Sequence, residues 1–384
     1  MRVLLIANTL PPRDVSGVGE QVLQLAAGLR VMGDEVEVLG RGPGGAAGPK
    51  VLFPLTIVPA AWAALRRFRP HVVQVHESDG ALAALLVLAM RGSLAPRPLL
   101  TALLQVSYVE ELRAVRPLVA PDGEILGRPG SVETRFRWFK APFQILLGLL
   151  TVRAADLVLA PSAATAAELR RDYRAGTVEV IPNVTGGLSL PPADRRADEA
   201  GYLLFVGRLR IRKGVEVLLK ALRELRETAP GATLKIAGDG EHRGALKRKA
   251  IELGLGAAVS FLGTCDAARV RGLLAGAAAL VVPSIYEGMP LVVLEAMEGG
   301  VPVVASAVSG IPEVVVGGET GWLVPPEDPA ALARALAEVL ADPPAAQRRG
   351  EAGRRRIDER YRPSLAAASW RAAVERSGVK EGVE

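Results

Sequence analysis

Short runs of aliphatic and β-branched residues alternate with longer Ala- and Leu-rich segments along nearly the whole chain, and the alternation stops once and then restarts. The runs are continuously apolar, as expected for strands of a parallel sheet that helices cover on both faces. The sequence therefore predicts an α/β fold with two doubly wound parallel sheets. The predicted strands are Val3–Ala7, Glu35–Leu39, Val72–Val75, Leu99–Leu103, Leu157–Ala160 and Val178–Ile181 in the first half, and Tyr202–Val206, Leu234–Ala237, Val259–Leu262, Leu280–Val282, Val303–Ala305 and Trp322–Val324 in the second.

A polar stretch interrupts the alternation. Thr185-Gly186-Gly187, Pro191-Pro192 and the charged residues Asp194–Glu199 are typical of a linker. We predict two Rossmann-like domains, an N-terminal one at 1–190 and a C-terminal one at 191–363, with a last helix at about 364–384 that packs back on the first. Because ligands of doubly wound sheets bind beyond the carboxyl ends of the strands, we expect the domains to face each other across a cleft that holds the site.

Composition excludes several classes of protein. A single cysteine cannot form an intrachain disulfide or a multi-cysteine zinc cluster, and three histidines leave little material for a metal site. A net charge of +6 admits an anionic substrate, an anionic membrane or nucleic acid as partner, but no nucleic-acid-binding motif is evident, so we expect no nucleic acid. The apolar N-terminus is too short for a signal peptide, and the longest apolar runs reach about half of the ~20 residues that a membrane-spanning helix needs. We expect a cytoplasmic protein.

The long connection between Val106 and Arg153 departs from the alternating pattern. We predict one helix at Val132–Arg153, preceded by a stretch rich in Pro and Gly. From Arg128 onward this region has five basic residues and one acid, Glu133, and its aromatic residues alternate with cations in Arg135–Lys140. Such a pattern suits a peripheral site at the inner face of a membrane, or a lipid-linked ligand. An ordinary helix with a solvated basic face explains it equally well, and both interpretations remain open.

Two glycine motifs follow predicted strands and could bind an anion. Ser16-Gly17-Val18-Gly19 lets backbone N–H groups approach an anion at a helix N-terminus. Val22 occupies the third glycine position of the dinucleotide fingerprint, which disfavours a nicotinamide dehydrogenase. Gly207-Arg208-Leu209, followed by Lys213-Gly214, is a candidate clamp for a diphosphate. A tight turn explains the first motif as well, and exposed surface charges explain the second.

A third motif, Pro283–Met297, places two glutamates eight positions apart. Glu287 lies in a loop after a predicted strand, and Glu295 lies on a helix that starts near Pro290, where apolar neighbours predict partial burial. A buried carboxylate needs hydrogen-bond donors, which the vicinal hydroxyls of a sugar supply. Compensation of the helix dipole by Glu287 and a core carboxylate at Glu295 form the alternative interpretation. The N–H groups expected to face an anion or a hydroxyl belong to Gly288, Met289 and Leu291.

These motifs, taken together, closely resemble glycosyltransferase family 4, whose members are retaining, sugar-nucleotide-dependent enzymes of the GT-B fold. In the first half the resemblance rests on Gly17-Val18-Gly19, His76, Ala160-Pro161-Ser162 and Ile181-Pro182-Asn183, and is less specific. In the second half the matching motifs are dense and in order. They are Gly207-Arg208-Leu209 with Lys213-Gly214, Ala237-Gly238-Asp239-Gly240, Phe261-Leu262-Gly263, Pro283-Ser284, Glu287-Gly288-Met289-Pro290 with Glu295-Ala296-Met297, Gly310-Ile311-Pro312-Glu313 and Gly321-Trp322-Leu323-Val324.

The resemblance implies a role for each matching residue. Arg208 and Lys213 would neutralise the donor diphosphate, Glu287 would face the transferred sugar, and Glu295 would bind the donor ribose. No metal or other cofactor would be required, because the two cations supply the electrostatic stabilisation. Further donor contacts are implied at Gly17 and Gly19 for the phosphates, at Gly288, Met289 and Leu291 for sugar hydroxyls or phosphate, and at Gly263 for the base.

One departure affects the expected chemistry. Many relatives carry Thr-x-His where this chain has Thr101-Ala102-Leu103, so His76 is the remaining histidine candidate. A lone histidine at a strand end can equally be a structural hydrogen-bonder.

The function that the resemblance implies is retaining transfer of a hexose-type sugar from a UDP- or GDP-sugar to a glycan or lipid-linked acceptor. Glu287, His76, Arg208 and Lys213 are the expected catalytic residues. The alternatives are a catalytically silent subunit that binds sugar nucleotides or glycans, and an epimerase or hydrolase of the same fold.

Overall fold

The structure is a computed structural model that describes residues 1–11, 17–42, 45–186 and 201–378. The described strands are β1 (Arg2–Ile6), β2 (Glu35–Leu39), β3 (Val72–His76), β4 (Leu99–Leu103), β5 (Leu118–Val119), β6 (Ile125–Gly127), β7 (Leu157–Ala160), β8 (Val178–Val180), β9 (Tyr202–Val206), β10 (Leu234–Ala237), β11 (Val259–Gly263), β12 (Ala277–Val282), β13 (Val303–Ser306) and β14 (Trp322–Val324). All of the predicted strands are thereby confirmed.

The helices complete the alternation that the sequence predicts. The described helices are α1 (Gly17–Val31), α2 (Phe53–Phe68), α3 (Ala81–Met90), α4 (Tyr108–Arg113), α5 (Ser131–Arg135), α6 (Ala141–Ala154), α7 (Ala163–Tyr173), α8 (Val215–Thr228), α9 (Arg243–Glu252), α10 (Ala267–Gly276), α11 (Leu291–Glu298), α12 (Ile311–Val314), α13 (Pro329–Ala341), α14 (Pro343–Arg360) and α15 (Pro363–Arg376).

The chain divides into two compact units. Unit 1 comprises Met1–Glu110, Phe139–Val184 and Tyr361–Glu384, and unit 2 comprises Glu111–Trp138 and Thr185–Arg360. Unit 2 therefore contains a segment that the sequence places within the predicted domain 1–190. The predicted boundary at 190/191, and most of the linker around it, lie outside the described residues.

Unit 1 is built on a parallel sheet of six strands in the order β2-β1-β3-β4-β7-β8. Successive side chains of a strand point to opposite faces. Accordingly, Leu4 and Ile6 join the core on the face covered by α2 and α3, whereas Val3 and Leu5 join the core on the face covered by α1 and α15. Continuous apolar strands are thus explained by burial on both faces.

The last described helix, α15, packs against α1 in unit 1. Gly28 on α1 lies so close to it that an added Cβ would be 2.8 Å from the Cβ of Ala367. Trp370 is fully buried, and its indole Nε1 donates a hydrogen bond to Gln74 Oε1 on β3 at 2.5 Å. Helix α15, near the end of the described residues, therefore forms part of the core on one face of the sheet that contains β1 and β3.

Unit 2 is built on a second parallel sheet of six strands, in the order β11-β10-β9-β12-β13-β14. Strands β5 and β6 form a separate antiparallel hairpin. The hairpin residues Leu118 and Leu126 are buried in the same core as Leu218 and Leu222 of α8. This apolar contact attaches the segment Glu111–Trp138 to unit 2.

Helical backbone runs without interruption over residues 131–154, which confirms the predicted helix at Val132–Arg153, although the helix is not regular α-helix throughout. Helix α5 ends at Arg135, a π-helical turn covers Phe136–Lys140, and α6 begins at Ala141. Pro142 fits this irregularity, because it has no N–H to donate to the carbonyl four residues earlier. Phe136 is buried, whereas Trp138 and the two residues after it are exposed.

One helical stretch among the described residues, Lys50–Phe68, is long and apolar enough to cross a membrane by length and composition alone. One third of the most apolar 18 residues of this stretch is buried inside the protein. Phe53, Ile57 and Leu65 on this stretch are fully buried in the core of unit 1. Core helices of other folds pass the same test of length and composition.

Candidate active site

In unit 2, loops that follow adjacent strands meet at the carboxyl edge of the sheet, as the strand pattern predicts. We call Gly207–Gly214, which follows β9, the cation loop, and Pro283–Pro290, which follows β12, the glutamate loop. The two loops are joined by a backbone hydrogen bond from the N–H of Ile285 to the carbonyl of Arg212, at 2.8 Å. Sequence positions about seventy residues apart are thereby brought into contact.

The main electrostatic feature of this edge is an ion pair between the two loops. Lys213 Nζ contacts Glu287 Oε1, and Ser284 Oγ donates a hydrogen bond to the same oxygen at 2.8 Å. Arg212 Nη1 lies 3.8 Å from Glu287 Oε2 and donates to the carbonyl of Tyr286 at 3.1 Å. The carboxylate of Glu287 is buried and lies between two cations and a hydroxyl.

Burial and charge act in opposite directions on this pair. Burial alone would raise the pKa of Glu287, but the positive charges of Lys213 and Arg212 outweigh it and hold the pKa below its ordinary value. Burial lowers the pKa of Lys213, and the charge of Glu287 partly opposes that shift. Glu287 is therefore an ionised acceptor at neutral pH and cannot donate a proton.

Gly214 sets the shape of the cation loop. Its φ of 65° lies in the left-handed region that favours glycine, and it ends the 3-10 turn of Ile211–Lys213 just before α8. An added Cβ would lie 2.0 Å from the carbonyl oxygen of Pro283 on the glutamate loop. Only glycine allows the two loops to approach this closely.

The other residues predicted to bind the donor in unit 2 also lie at this edge. Arg208 is an exposed side chain of the cation loop, and Gly263 ends β11 with a φ of 71°. Pro290 is the N-cap of α11, so the helix begins at Leu291 and its first N–H groups have no carbonyl partner within the helix. Glu295 is half-buried one turn into that helix, and Gly288 and Met289 are buried in the glutamate loop.

Ser309 supports the glutamate loop from the next strand. It follows β13 and has a φ of 48°, a conformation that costs a non-glycine residue free energy. Its hydroxyl accepts a hydrogen bond from the N–H of Glu287 at 3.4 Å, and the N–H of Gly310 donates to the carbonyl of Gly288 at 3.0 Å. The strained serine thus lies directly against the backbone of the glutamate loop.

The predicted residues Gly17, Gly19 and His76 lie in unit 1. Gly17 begins α1, and an added Cβ at Gly19 would lie 2.2 Å from the carbonyl oxygen of Thr9, so the start of α1 approaches the loop after β1 closely. Ser16 lies outside the described residues. The structure places these residues on a different unit from the ion pair of Lys213 and Glu287.

His76 is buried and uncharged at the end of β3. Burial lowers its pKa to about 3. Gln74 Nε2 lies 2.9 Å from His76 Nε2, and Gln74 Oε1 accepts from Trp370, so the amide nitrogen faces the histidine. We therefore assign the ring proton to Nδ1, which has no hydrogen-bond partner among the described residues. His76 is paired in register with Leu103 on β4.

Further polar side chains lie at the carboxyl edge of the sheet in unit 1. Asn8 Nδ2 donates to Asp79 Oδ2 at 2.6 Å, and Gln144 Nε2 donates to Asp79 Oδ1 at 2.9 Å. Asn183 Nδ2 donates to Gln105 Oε1 at 2.8 Å. Asn8 Oδ1 and Gln105 Nε2 are buried without a partner among the described residues. These groups could bind the hydroxyls of a ligand.

Sequence reasoning missed several residues that contact the cation loop. Arg212 lies between the two predicted cations in the sequence, which is a usable signal, but no motif assigns it a role. In the sequence Glu133 is only the single acid of a basic stretch, and no pattern distinguishes His242. In the structure Glu133 Oε2 lies 2.6 Å from His242 Nε2, and Glu133 Oε1 accepts a hydrogen bond from the N–H of Ile211 at 2.7 Å.

Both halves of the chain match known families. Residues 15–185 match the family described as Glycosyltransferase Family 4, and residues 191–356 match the family described as Glycosyl transferases group 1. A glycogen synthase from Mycobacterium tuberculosis is 31% identical over 398 residues, which cover 93% of this chain and 90% of the relative. The chain belongs to glycosyltransferase family 4. This confirms the resemblance that the motifs indicated.

Other members and neighbours support the same family and fold. A D-inositol 3-phosphate glycosyltransferase from Streptomyces avermitilis is 33% identical over 227 residues, 54% of this chain and 49% of the relative. A solved structure of sucrose-phosphate synthase from Thermosynechococcus elongatus has a TM-score of 0.78 at 25% identity, covering 98% of this chain and 99% of that one. This family 4 glycosyltransferase has the two parallel-sheet α/β units of the GT-B fold.

Proposed function

We propose that this glycosyltransferase moves a hexose-type sugar from a nucleoside diphosphate sugar to a hydroxyl group of an acceptor, with retention of configuration and without a metal ion. The observation that carries the proposal is the meeting of Arg208, Lys213 and Glu287 on two touching loops at the carboxyl edge of unit 2. Relatives named for glycogen and for sucrose phosphate support a hexose as the transferred group.

The donor diphosphate binds at the cation loop. Arg208 and Lys213 offer two positive charges to the two phosphates, and the N-terminus of α11 adds N–H groups for a phosphate or sugar hydroxyl. Glu287 accepts hydrogen bonds from the hydroxyls of the transferred sugar, and Glu295 accepts from those of the ribose. The base is that of UDP or GDP, beside Gly263.

The reaction is a substitution on one face of the sugar. The bond between the anomeric carbon and the diphosphate oxygen breaks, the acceptor oxygen bonds to the same face, and the acceptor proton passes to the leaving phosphate. Arg208 and Lys213 stabilise the charge that grows on the leaving group, which is the task a metal ion performs in other enzymes. His76 is uncharged and takes part only as a hydrogen-bond donor through Nδ1.

The acceptor is a glycan or a lipid-linked sugar that binds to unit 1. Support comes from the polar side chains at the carboxyl edge of that sheet, among them Asn8, Asp79 and Gln105, which present both donors and acceptors to hydroxyl groups. A small number of placed polar groups fixes the orientation of a bound ligand and gives specificity.

We further propose that unit 1 rests on an anionic membrane surface. Helices α2, α3 and α6 pack side by side, and none of them contains an Asp or Glu. Their exposed side chains include large apolar groups beside cations, an arrangement that suits the interface of an anionic bilayer. The exposed apolar residues are Leu55, Trp62, Leu88, Phe143 and Leu146, and the cations on the same helices are Arg66, Arg67 and Arg153.

The experiment that tests the donor site is thermal unfolding of the full chain with UDP, GDP, ADP or NAD, in EDTA. A ligand at 100 times its Kd adds about 2.7 kcal/mol of stability, which raises Tm by roughly 2–4 °C for a protein of this size. We expect a shift with UDP or GDP and none with NAD. No shift with any nucleoside diphosphate would overturn the donor site, and a shift that appears only when Mg²⁺ replaces EDTA would overturn metal independence.

A further inference from the structure

A segment from the first half of the sequence packs on the cation loop. We call Glu111–Trp138, which belongs to unit 2, the inserted segment. Gly127 of this segment lies so close to the loop that an added Cβ would be 2.9 Å from Ile211 Cδ1 and 3.0 Å from Glu216 Cγ. The approach is tight enough for side chains of the inserted segment to bond the loop backbone.

Glu133 makes that bond. Its Oε1 accepts from the N–H of Ile211 at 2.7 Å, and its Oε2 accepts from the N–H of Gly130 at 2.6 Å. Ile211 begins the 3-10 turn that ends at Lys213. The carboxylate of Glu133 is buried, so water cannot replace these contacts. Glu133 therefore fixes the backbone from which the Lys213 side chain extends.

His242 completes a buried triad of charges. Its Nε2 lies 2.6 Å from Glu133 Oε2, and its Nδ1 lies 3.0 Å from Glu216 Oε1. Burial alone would lower the pKa of His242, but the two carboxylates raise it to about 10. Buried ion pairs often contribute little net stability, because desolvation of the charges offsets their attraction. They do fix the arrangement of the three side chains, since each buried charge must lie beside its partner.

A second contact joins the inserted segment to Arg212 of the cation loop, which in turn contacts the glutamate loop. Glu111 Oε1 lies 3.5 Å from Arg212 Nε, and Arg212 Nη1 donates to the carbonyl of Tyr286 at 3.1 Å. The same nitrogen lies 3.8 Å from Glu287 Oε2. The inserted segment thus reaches both loops of the candidate active site through charged side chains.

We propose that the inserted segment is the positioning element of the donor site, and that Glu133 is a positioning residue that holds Lys213 in place through the backbone of Ile211. The inference rests on the proposed function and adds a part of the chain that touches no substrate. A displacement of about 1 Å in a catalytic group can cost about 10²-fold in rate. Loss of the Glu133 charge therefore lowers kcat more than it affects donor binding.

The test compares Glu133→Gln with Glu124→Gln in the full chain. Glu124 is a matched control, because it lies on the same segment and its carboxylate contacts Lys220 on α8. At pH 7.5 we expect kcat to fall about tenfold or more in Glu133→Gln, with the donor KM within about threefold of wild type, and no change in Glu124→Gln. Circular dichroism and Tm report whether each variant folds, and Glu111→Gln provides a second test should Glu133→Gln fail to fold.

The pH profile separates positioning from stability. His242 faces Glu133 on α5 and Glu216 on α8, and its chain neighbours are Glu241 and Arg243. With Glu133 uncharged, one of the two carboxylates that raise the pKa of His242 is lost, so kcat in Glu133→Gln declines at a lower pH than it does in the wild type. A folded Glu133→Gln with wild-type kcat and pH profile overturns the inference. A wild type that binds no nucleoside diphosphate overturns the proposed function instead.

Discussion

Lys213 and Glu287 follow two neighbouring strands of one sheet, and the ammonium of Lys213 contacts Oε1 of Glu287. The cation proposed for the donor diphosphate is thus paired with the carboxylate proposed for the transferred sugar. The diphosphate and the sugar are covalently joined in the donor, so both groups of the pair meet parts of one molecule. Binding the donor therefore replaces or shares a contact that the protein makes with itself.

Replacement of Lys213 by alanine should slow sugar transfer strongly. The positive charge of Lys213 stabilises the leaving phosphate more strongly as that phosphate becomes more negative. Loss of one such group typically costs about 2.7–4 kcal/mol of transition-state stabilisation. We expect kcat to fall about 10²- to 10³-fold at saturating donor, and Arg208→Ala to act in the same direction. Lys220→Ala, at a lysine that contacts Glu124 on the protein surface, is the control. Wild-type turnover in Lys213→Ala would exclude the clamp.

Glu295 and Glu298 lie on the same helix, and replacing each by alanine distinguishes a ligand contact from a structural one. Glu298 is buried and its Oε2 accepts from Thr185 Oγ1 at 2.7 Å, so Glu298→Ala should lower the free energy of unfolding by about 1–3 kcal/mol. Glu295 is half-buried at the edge, and Glu295→Ala should weaken UDP or GDP binding in calorimetry with Tm nearly unchanged. A lower Tm with normal nucleotide affinity in Glu295→Ala would favour the core interpretation.

The charge of His242 predicts a loss of stability at alkaline pH. Its pKa is raised to about 10 in the folded protein, against about 6.5 in the unfolded chain. The charged His242 therefore contributes its full stabilisation of the folded state below about pH 6.5, and this stabilisation is lost as the pH rises toward 10. In urea unfolding, the difference between the wild type and His242→Gln should shrink by up to about 1.4 kcal/mol per pH unit across that range. A difference that stays constant with pH would contradict a charged His242.

Gly214→Ala should disturb the candidate site more than an ordinary glycine substitution. The φ of 65° and the 2.0 Å approach to the carbonyl of Pro283 leave no space for a Cβ. Left-handed backbone costs roughly 1–2 kcal/mol for a non-glycine residue, and separation of the two loops should reduce kcat as well. Gly231→Ala is the matched control, because an added Cβ there meets no atom of the described residues within 4 Å. Equal Tm and kcat in the two variants would show that the close approach is unimportant.

Membrane binding is tested with vesicles of phosphatidylglycerol and of phosphatidylcholine. We expect co-sedimentation with the anionic vesicles at low salt, weakened by high salt because the Debye length falls to about 3 Å at 1 M. The double variant Phe143→Ser, Leu146→Ser should bind less, whereas Val31→Ser, at an apolar residue of α1 that is 87% exposed, should bind as the wild type does. No binding to anionic vesicles at low salt would remove the membrane from the proposal.

The strands, and the positions of the cation and glutamate loops directly after two of them, could be predicted from sequence. Buried parallel strands leave long apolar runs, but only the strand order in the structure shows that the strands before Lys213 and Glu287 are neighbours. The roles assigned to them remain predictions. The catalytic role of His76 likewise remains a prediction. Burial keeps its ring uncharged, so His76 can act only through hydrogen bonds.

The contacts of the inserted segment could not be predicted in the same way. Glu133 meets Ile211 and His242 across 78 and 109 positions of sequence. No periodicity or motif relates residues at such separations, because the contact depends on which sheet the hairpin packs against. Ser309 could not be predicted either, since only the backbone geometry reveals that this serine adopts a left-handed φ and that its hydroxyl bonds the glutamate loop.

Helix α15 has a consequence for the order in which this protein is made. Trp370 and its neighbours on α15 complete the core beneath β1 and β3, and Trp370 bonds Gln74 across 296 positions of sequence. Until α15 emerges from the ribosome, the face of the first sheet that α1 also covers lacks part of its cover, while the second sheet can already assemble around strands close together in sequence. Unit 2 is therefore expected to fold during translation before unit 1 does, and a chaperone that shields Val3, Leu5 and Val72 would act on the nascent chain in that interval.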